Sequence, residues 1–356
     1  MVKNVGIIFG GKSTEHEISI ISAGNVFKNL DRQKYCPVLI YIDKNGQWFL
    51  ANEDTLQSGK PATSDLKKLV LRMDGKGLAI INGNHQNLDL AAVFPVLHGP
   101  NGEDGSVQGL FETAGIPYVG PGIAGSANAM DKEISKKLFR QSGLDVANYV
   151  CLLRHENFIL KEIIDYLGLP LVVKPSRAGS SVGISKAKDE NELEKAINLA
   201  FEYDNKILVE EYIKGREIEV AVLGNEEPVA SVAGEIITEF YDYREKYSKE
   251  SKTKLEAPAR LDDKTMEKVK NIAIRAFRAL DCEGMSRVDF FLTPDRLLVN
   301  EINTIPGFTN ISMYPRLFEL SGIPQKELIS KLIELAISRY ETKNRLKTFY
   351  EDAIDL

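Results

Sequence analysis

The chain has 356 residues, 43% of them hydrophobic and 27% charged, with a formal net charge of −6. At ~150 residues per domain this is about two to three domains, each able to bury its own core. So ordinary a composition excludes collagen-like, disordered and coiled-coil classes, and with no strong Lys/Arg cluster neither nucleic acid nor a membrane surface is an expected partner.

Cys36, Cys151 and Cys282 are odd in number and far apart, without CxxC spacing, so neither a disulfide framework nor a zinc knuckle is expected. A reducing compartment fits that usage. The opening MVKNVGIIFGG has too short an apolar stretch for a signal-peptide core, and no later run approaches the ~18 apolar residues of a membrane span. The expected location is the cytoplasm.

Residues 5–9 form a short apolar run ending at Gly10-Gly11, followed by a helical pattern over 18–30: strand, glycine turn, helix. Residues 37–42 and 90–97 read as further buried strands. The first ~120 residues therefore predict a three-layer α/β domain with functional loops at its strand ends. From Met130 the pattern changes to a charged amphipathic helix over 131–142, a strand over 169–174 running into the Gly/Ser-rich PSRAGSSVGIS, a helix over 190–203 and a strand over 207–213. This predicts a smaller α+β unit. Strands IEVAVLG and PVASVAGEI follow, then a long polar segment, a helix over 264–280, the strand pair MSRVDFFL and LLVNEINT, and a last helix over 325–340 with Leu328, Ile329, Leu332, Ile333 and Ala336 on one face. Residues 343–356 are a polar tail without assignment, and no internal repeat is visible.

Gly6 to Ser13 matches the P-loop pattern G-x-x-x-x-G-K-[ST], but Ile7, Ile8 and Phe9 are the strand itself and leave only Gly10-Gly11 to turn the chain. The match is rejected. The glycines either open a small-ligand site that Glu15 can reach, or are a plain strand-to-helix turn. Arg287, Asp289, Glu301 and Asn303 are more informative. Alternation puts Arg287 and Asp289 on one face of their strand and Glu301 and Asn303 on one face of the next, and a hairpin symmetric about Asp295 sets Asp289 opposite Glu301. Hard oxygen ligands beside a guanidinium suit Mg²⁺, though exposed paired acids also occur on structural hairpins. Lys174 ends its strand just before Gly179, Ser180, Ser181 and Gly183, which offer phosphate-binding groups or simply a hairpin turn. Lys132 is an ordinary helix lysine by its surroundings. Residues 240–261 lack apolar periodicity, and a loop that long is usually a lid, a binding loop or disordered; Tyr241, Tyr243 and Tyr247 argue against plain disorder. Of the four histidines only His98, in the turn LHGPNGED, sits where a ligand could meet it.

Taken together the chain resembles the D-alanine:D-alanine ligases of the ATP-grasp superfamily. The resemblance rests on IIFGGKSTEHEISI, FPVLHGPNGEDGSVQG, GIPYVG, MDKEISKKLF, VVKPSRAGSSVGISK, FYDYREKY, SRVDFF and NEINTIPGFTNISMYP, in the family's order from residue 5 to about 340. It implies an ATP-grasp fold with an N-terminal three-layer α/β domain over 1–120, a central subdomain over 121–209, a C-terminal subdomain over 210–342 carrying the metal and catalytic site, and a tail. The implied reaction joins two D-alanines at the expense of ATP through an acyl phosphate, for peptidoglycan precursor synthesis in the cytoplasm, by an enzyme commonly homodimeric through its N-terminal domain. D-alanine:D-serine ligation, or another ATP-grasp carboxylate–amine ligation, is the alternative.

By the same resemblance Lys132, Lys174 and Ser181 would contact ATP phosphates, Glu210, Glu211, Tyr212 and Ile213 would offer groups to adenine, and Glu217 would take the ribose hydroxyls. Lys246 and Asn300 would complete the nucleotide site. Asp289, Glu301 and Asn303 would hold two Mg²⁺, with Mn²⁺ as substitute. Glu15 would meet the first D-alanine's ammonium, Ser180 and Tyr247 would link a lid to Glu15, and Arg287 with the Gly307 backbone would stabilise developing negative charge. His98 would lie near the first D-alanine, and Ser312 would meet the second substrate's carboxylate with Met313 beside it. Ala178 departs from the larger or acidic residue of many relatives. Met313, where serine-using relatives tend to carry Arg, and Lys246-Tyr247, without a histidine in that loop, favour D-alanine as second substrate.

Overall fold

The computed structural model describes residues 2–58, 63–72, 77–81, 86–179, 182–237 and 253–347. Ser180, Ser181, Lys246, Tyr247, His85, most of the polar segment over 240–261 and the end of the tail lie outside them, and so do the expectations attached to them.

Three sheets follow one another along the chain. The first has seven strands: β1 (Lys3–Gly10), β2 (Tyr35–Ile42), β3 (Trp48–Leu50), β4 (Lys67–Leu71), β5 (Leu78–Ile80), β6 (Gln86–Leu88) and β7 (Ala92–Pro95), ordered β6-β5-β4-β3-β2-β1-β7. β1 runs parallel to β2 and β7, and the β3–β6 edge is antiparallel. Alternation along β1 explains the layering. Val5, Ile7 and Phe9 pack with Ile20, Ala23 and Val26 of α1 (His16–Asn29), whereas Ile8 packs with Val107 and Phe111 of α3 (Ser106–Thr113). Helices thus cover both faces, as the parallel core requires. α2 (Glu53–Ser58) and strands β3 to β6 fill residues that carried no sequence assignment.

α4 (Ile123–Met130) and α5 (Lys132–Gln141) lead into a four-stranded sheet ordered β10-β9-β11-β8, made of β8 (Tyr149–Leu153), β9 (Leu171–Pro175), β10 (Ser185–Ala187) and β11 (Lys206–Glu211). Its inner residues Leu171, Val173, Ile207 and Val209 are buried in one apolar cluster with Leu193, Ala196 and Ile197 of α7 (Glu190–Tyr203) and Ile163 of α6 (Leu160–Leu167). The opposite face carries Lys174 and Glu210.

The third sheet, ordered β14-β13-β12-β15-β16, comprises β12 (Arg216–Gly224), β13 (Val229–Ile237), β14 (Lys254–Glu256), β15 (Gly284–Leu292) and β16 (Leu297–Asn303). β14 corrects the reading of residues 240–261 as one unstructured segment: three of them pair with β13 as an edge strand. Ile218, Val220, Val288, Phe290 and Ile302 face Val269, Ala273 and Phe277 of α8 (Asp263–Ala279). The hairpin register pairs Arg287 with Asn303 and Asp289 with Glu301 as expected, but it is not symmetric: beyond Asp289 the pairing slips, so that Phe290 meets Val299 and Asn300 is the extra residue.

α9 (Met313–Leu320) and α10 (Gln325–Asn344) complete the chain, α10 running a turn past the expected end because Glu341 to Asn344 are polar but helix-compatible. Leu328, Ile329, Leu332 and Ile333 of α10 join the same cluster as Val5, Ile7, Ile305 and Phe308. Among the described residues no helix is long and apolar enough to cross a membrane.

Candidate active site

Three loops converge because specific side chains tie them. At the end of β1 the backbone must turn through φ +90° at Gly10 and +94° at Gly11, and a Cβ on Gly10 would overlap the Ile42 carbonyl. The turn is held by Gly11 N–H donating to Ile42 O (2.8 Å), by Gly10 N–H donating to Ser19 Oγ (2.9 Å) and by His16, whose Nδ1 lies 2.6 Å from Gly11 O and Nε2 3.1 Å from the Tyr41 hydroxyl. The P-loop rejection stands: residues 6–10 are strand. The turn delivers Glu15 to the start of α1, where its Oε2 lies 3.2 Å from the position a Cβ would take on Gly99 and 3.5 Å from that on Gly179. Glu15 therefore stands where the loops after β1, β7 and β9 meet.

The loop after β16 is bracketed from two sides. His98 Nδ1 lies 3.1 Å from Ile305 O, and Glu103 accepts from Ile305 N–H (3.3 Å) and from Gly99 N–H (2.6 Å). On its other flank Asn25 donates to Phe308 O (2.7 Å), and Ser22 Oγ accepts from Phe308 N–H (3.3 Å). Gly307 is thereby fixed beside Ser312, which immediately precedes α9 and accepts from Thr309 N–H (2.9 Å) rather than from the helix itself. The free N–H groups of a helix start suit a carboxylate.

α5 aims two lysines one turn apart. Asp131 caps the helix by accepting from Ile134 N–H (3.2 Å), and it is anchored by Ser176 Oγ just past β9 (2.9 Å) and by Lys206 Nζ at the start of β11 (2.7 Å). Lys132 then donates to Ala178 O (2.9 Å) and lies 3.5 Å from Glu301 Oε2. Lys136, spaced to share that face, reaches Glu210 Oε1 at 3.2 Å while Lys174 reaches Glu210 Oε2 at 2.8 Å. Burial works to raise the Glu210 carboxyl, but the two ammonium charges outweigh it and hold it below its ordinary value. Burial pulls Lys136 down to about 8, with Glu210 opposing the shift.

Two cavities flank this machinery. The first, about 580 Å³, is lined by Glu15, His98, Lys132, Asn303, Gly307, Ser312 and Met313. The second, about 510 Å³, holds Lys174, Glu217, Asp289 and Asn300 with the 210–213 segment. Arg287, Glu301 and Glu219 belong to both. The register slip at Asn300 permits this: Val299 and Ile302 both stay in the core, so the consecutive Asn300 and Glu301 both line the second cavity. Arg287 donates to Asp289 (2.6 and 2.7 Å) and lies 2.9 Å from Glu219. Glu217 is pushed up to about 7 by burial and then by the charges of Asp289 and Glu301.

Within the 210–213 segment much is already engaged: Glu210 and Glu211 are paired in β11, and the Glu211 and Tyr212 N–H groups donate to Asn148 O (3.0 Å) and Pro170 O (3.2 Å). Glu211 Oε1 is engaged by Asn148 N–H (2.8 Å) and Arg296 (3.3 Å), and Lys186 Nζ sits 3.3 Å from the Tyr212 ring centre. Of the expected site residues that are described, all line one of the two cavities. Sequence reasoning missed Glu219, hidden in the apolar run IEVAVLG yet two residues from Glu217 on the same strand face, and Lys136, read as part of a charged helix although it is four residues from Lys132.

The donor set fits hard divalent cations. Asp289 and Glu301 stand opposite one another, and the buried Asn303 Oδ1 has no hydrogen-bond partner among the described residues. No cluster of three or more His, Cys, Asp or Glu side chains poised for a metal is present among those residues, so any such site needs the amide oxygen and non-protein ligands as well.

Comparison with known proteins adds a second line. Family models described as the N-terminus and C-terminus of D-ala D-ala ligase match residues 4–121 and 138–334. A D-alanine–D-alanine ligase of Acetivibrio thermocellus is 46% identical over 98% of this chain and 99% of its own. Among solved structures, the D-alanine–D-alanine ligase of Coxiella burnetii superposes with a TM-score of 0.88 at 38% identity, covering 97% of this chain and 96% of that one. The VanG D-Ala:D-Ser ligase of Enterococcus faecalis does so with 0.87 at 40%, covering 94% and 100%.

Proposed function

The chain belongs to the D-alanine–D-alanine ligase family, and from that premise we propose that it joins two molecules of D-alanine into D-alanyl-D-alanine at the expense of ATP. The observation that carries this reading is the common wall: Arg287, Glu301 and Glu219 line both cavities, so a nucleotide in one and an amino acid in the other meet at that wall.

A carboxylate does not accept an amine directly, because its oxygen is a poor leaving group. In the proposed reaction the first D-alanine, its ammonium held by Glu15, attacks the terminal phosphorus of ATP with a carboxylate oxygen. ADP leaves and an acyl phosphate remains. The free amine of the second D-alanine, oriented by its carboxylate at Ser312 and the start of α9, attacks the acyl carbon, and inorganic phosphate is expelled. Phosphoryl transfer needs positioning and charge neutralisation more than covalent help. Lys132 and Lys174 supply fixed positive charge to the phosphates, and Arg287 at the shared wall stabilises the negative charge that develops in both steps. In this reading Glu217 takes the ribose hydroxyls, and the backbone groups of 210–213 that the sheet leaves open take adenine. Asp289, Glu301 and Asn303 would hold two Mg²⁺, or Mn²⁺ in their place, which when bound neutralise the transferring phosphoryl group.

The reading carries a division into an N-terminal α/β domain over 1–120, a central subdomain over 121–209 and a C-terminal subdomain over 210–342, although β11 of the second sheet runs on to Glu211. The reading carries with it the family's cytoplasmic homodimer and its role in peptidoglycan precursor synthesis. A D-serine-using enzyme is the second reading, favoured by the likeness to the D-Ala:D-Ser ligase. Against it, the apolar Met313 lines the first cavity. The test is phosphate release from ATP with D-alanine, D-serine or D-lactate present or absent, with products identified by mass. D-alanine-dependent release yielding mainly D-Ala-D-Ala is expected; release indifferent to any of these acids would remove the ligase reading.

A further inference from the structure

Lys136 is fully buried at a helix position where an apolar residue is the rule. Its ammonium ends 3.2 Å from Glu210 Oε1, the carboxylate oxygen that Lys174 does not contact, and 5.9 Å from the centre of the Tyr149 ring. Glu210 is itself 3% exposed, so its charge is not dispersed by solvent. Lys174, by contrast, lines the second cavity and also reaches Asn300 Oδ1 at 3.4 Å. Two ammonium groups and one carboxylate leave one net positive charge, and the member of the trio able to present it to a ligand beside Asn300 is Lys174.

Without Lys136 the same atoms would form a neutral Lys174–Glu210 pair. A phosphate would then meet a dipole, with a buried carboxylate 2.8 Å from the ammonium, instead of a net cation. Buried charge is costly and a Met would fill the same volume at less expense of desolvation, so packing alone does not account for a lysine there. We infer that Lys136 is a positioning residue for nucleotide phosphates: by neutralising Glu210 it leaves the Lys174 ammonium uncompensated toward the cavity. The inference rests on the reading of the second cavity as the nucleotide site.

The experiment separates phosphate recognition from the rest of the site. Mg²⁺-ADP and adenosine are titrated calorimetrically into the full-length parent, Lys136→Met and the double variant Lys136→Met/Glu210→Gln. The single variant should bind ADP about tenfold or more weakly and adenosine within about twofold of the parent, since a charge a few ångströms from the ammonium is felt only by phosphate. The double variant, again with one net positive charge, should recover the parent's ratio of ADP to adenosine affinity. Equal weakening toward both ligands, no weakening, or a double variant no better than the single one overturns the inference. If Lys136→Met does not fold, the double variant decides alone: a parental ratio supports the inference and a collapsed ratio overturns it. A parent that binds neither ligand would instead remove the nucleotide reading, and the inference with it.

Discussion

Asp289 stands opposite Glu301 across the β15–β16 pair, and immediately beyond them the register slips at Asn300. The slip lets Glu301 line both cavities, and it sits 3.5 Å from Lys132. A carboxylate in that position serves both sides of the shared wall, whereas Asp289 lines only the second cavity.

Glu301→Ala should therefore cost more activity than Asp289→Ala, at least about a hundredfold in turnover, because charge stabilisation at the transferring group is the largest single contribution expected here. The variant should stay folded, since Glu301 is not part of an apolar cluster. Turnover at saturating Mg²⁺ and circular dichroism check the two halves; near-parental turnover would remove Glu301 from the metal site.

Lys174→Ala should raise the Michaelis constant for ATP and lower turnover, leaving the constant for D-alanine within about threefold, because the lost point charge faces the second cavity only. Initial rates with each substrate varied in turn decide this. Unchanged ATP kinetics would reduce Lys174 to a strand-end lysine paired with Glu210.

Glu217 gives a pH signature. Its folded pKa of about 7 lies above the ordinary 4.5, so the native state holds this proton more tightly than the unfolded chain does. The stability linked to it is fully present below about pH 4.5 and is lost as pH rises toward 7, with no further change above, amounting to at most about 3 kcal/mol. Glu217→Gln should raise the melting temperature over the parent at pH 8 in divalent-free buffer and give no gain at pH 4. A parent–variant difference independent of pH would mean that Glu217 titrates normally.

Gly234 leaves space for Met313: a Cβ there would overlap Met313 Cε and come within 3.1 Å of Leu317. The end of the thioether is thus seated in a gap that the sheet provides, and the residue, which also lines the first cavity, gives it an apolar wall that suits the methyl group of D-alanine. An apolar pocket rejects an added hydroxyl by only about a hundredfold, so minor D-serine use is expected of the parent. Met313→Arg should move preference toward D-serine by about tenfold or more. Equal concentrations of D-alanine and D-serine in competition, with products separated by mass, measure it; a parent making mostly D-Ala-D-Ser would overturn the assignment of the second substrate.

What the sequence made legible follows from periodicity. Alternation in MSRVDFF and LVNEIN located Arg287, Asp289, Glu301 and Asn303 on one face, and the structure pairs them so. The slip at Asn300 left no trace because no Gly or Pro marks it; it shows only as Val299 and Ile302, three apart, both in the core. Strands β3 to β6 escaped because three are only three residues long, below the length at which alternation separates from chance. Lys136 and Glu219 escaped for opposite reasons: one was a charge among charges, the other a charge submerged in an apolar run. In each case what gives the residue its role is a partner distant in sequence, Glu210 or Arg287.

The loop carrying Gly307 belongs by sequence to the C-terminal half, yet Ser22, Asn25, His98 and Glu103 of the N-terminal half hold it in place. The apolar cluster beneath it likewise draws on both ends of the chain. The two segments that the family models describe separately are therefore not exchangeable parts. Recombination that joined the first half of one relative to the second half of another would inherit a complete set of substrate-facing residues and still mis-set the Gly307 loop, unless the four side chains that hold it came with it. Divergence at these positions is expected to be correlated across nearly three hundred residues of chain, from 22 to 308, and substrate preference in such a scaffold is a property of the junction more than of either half.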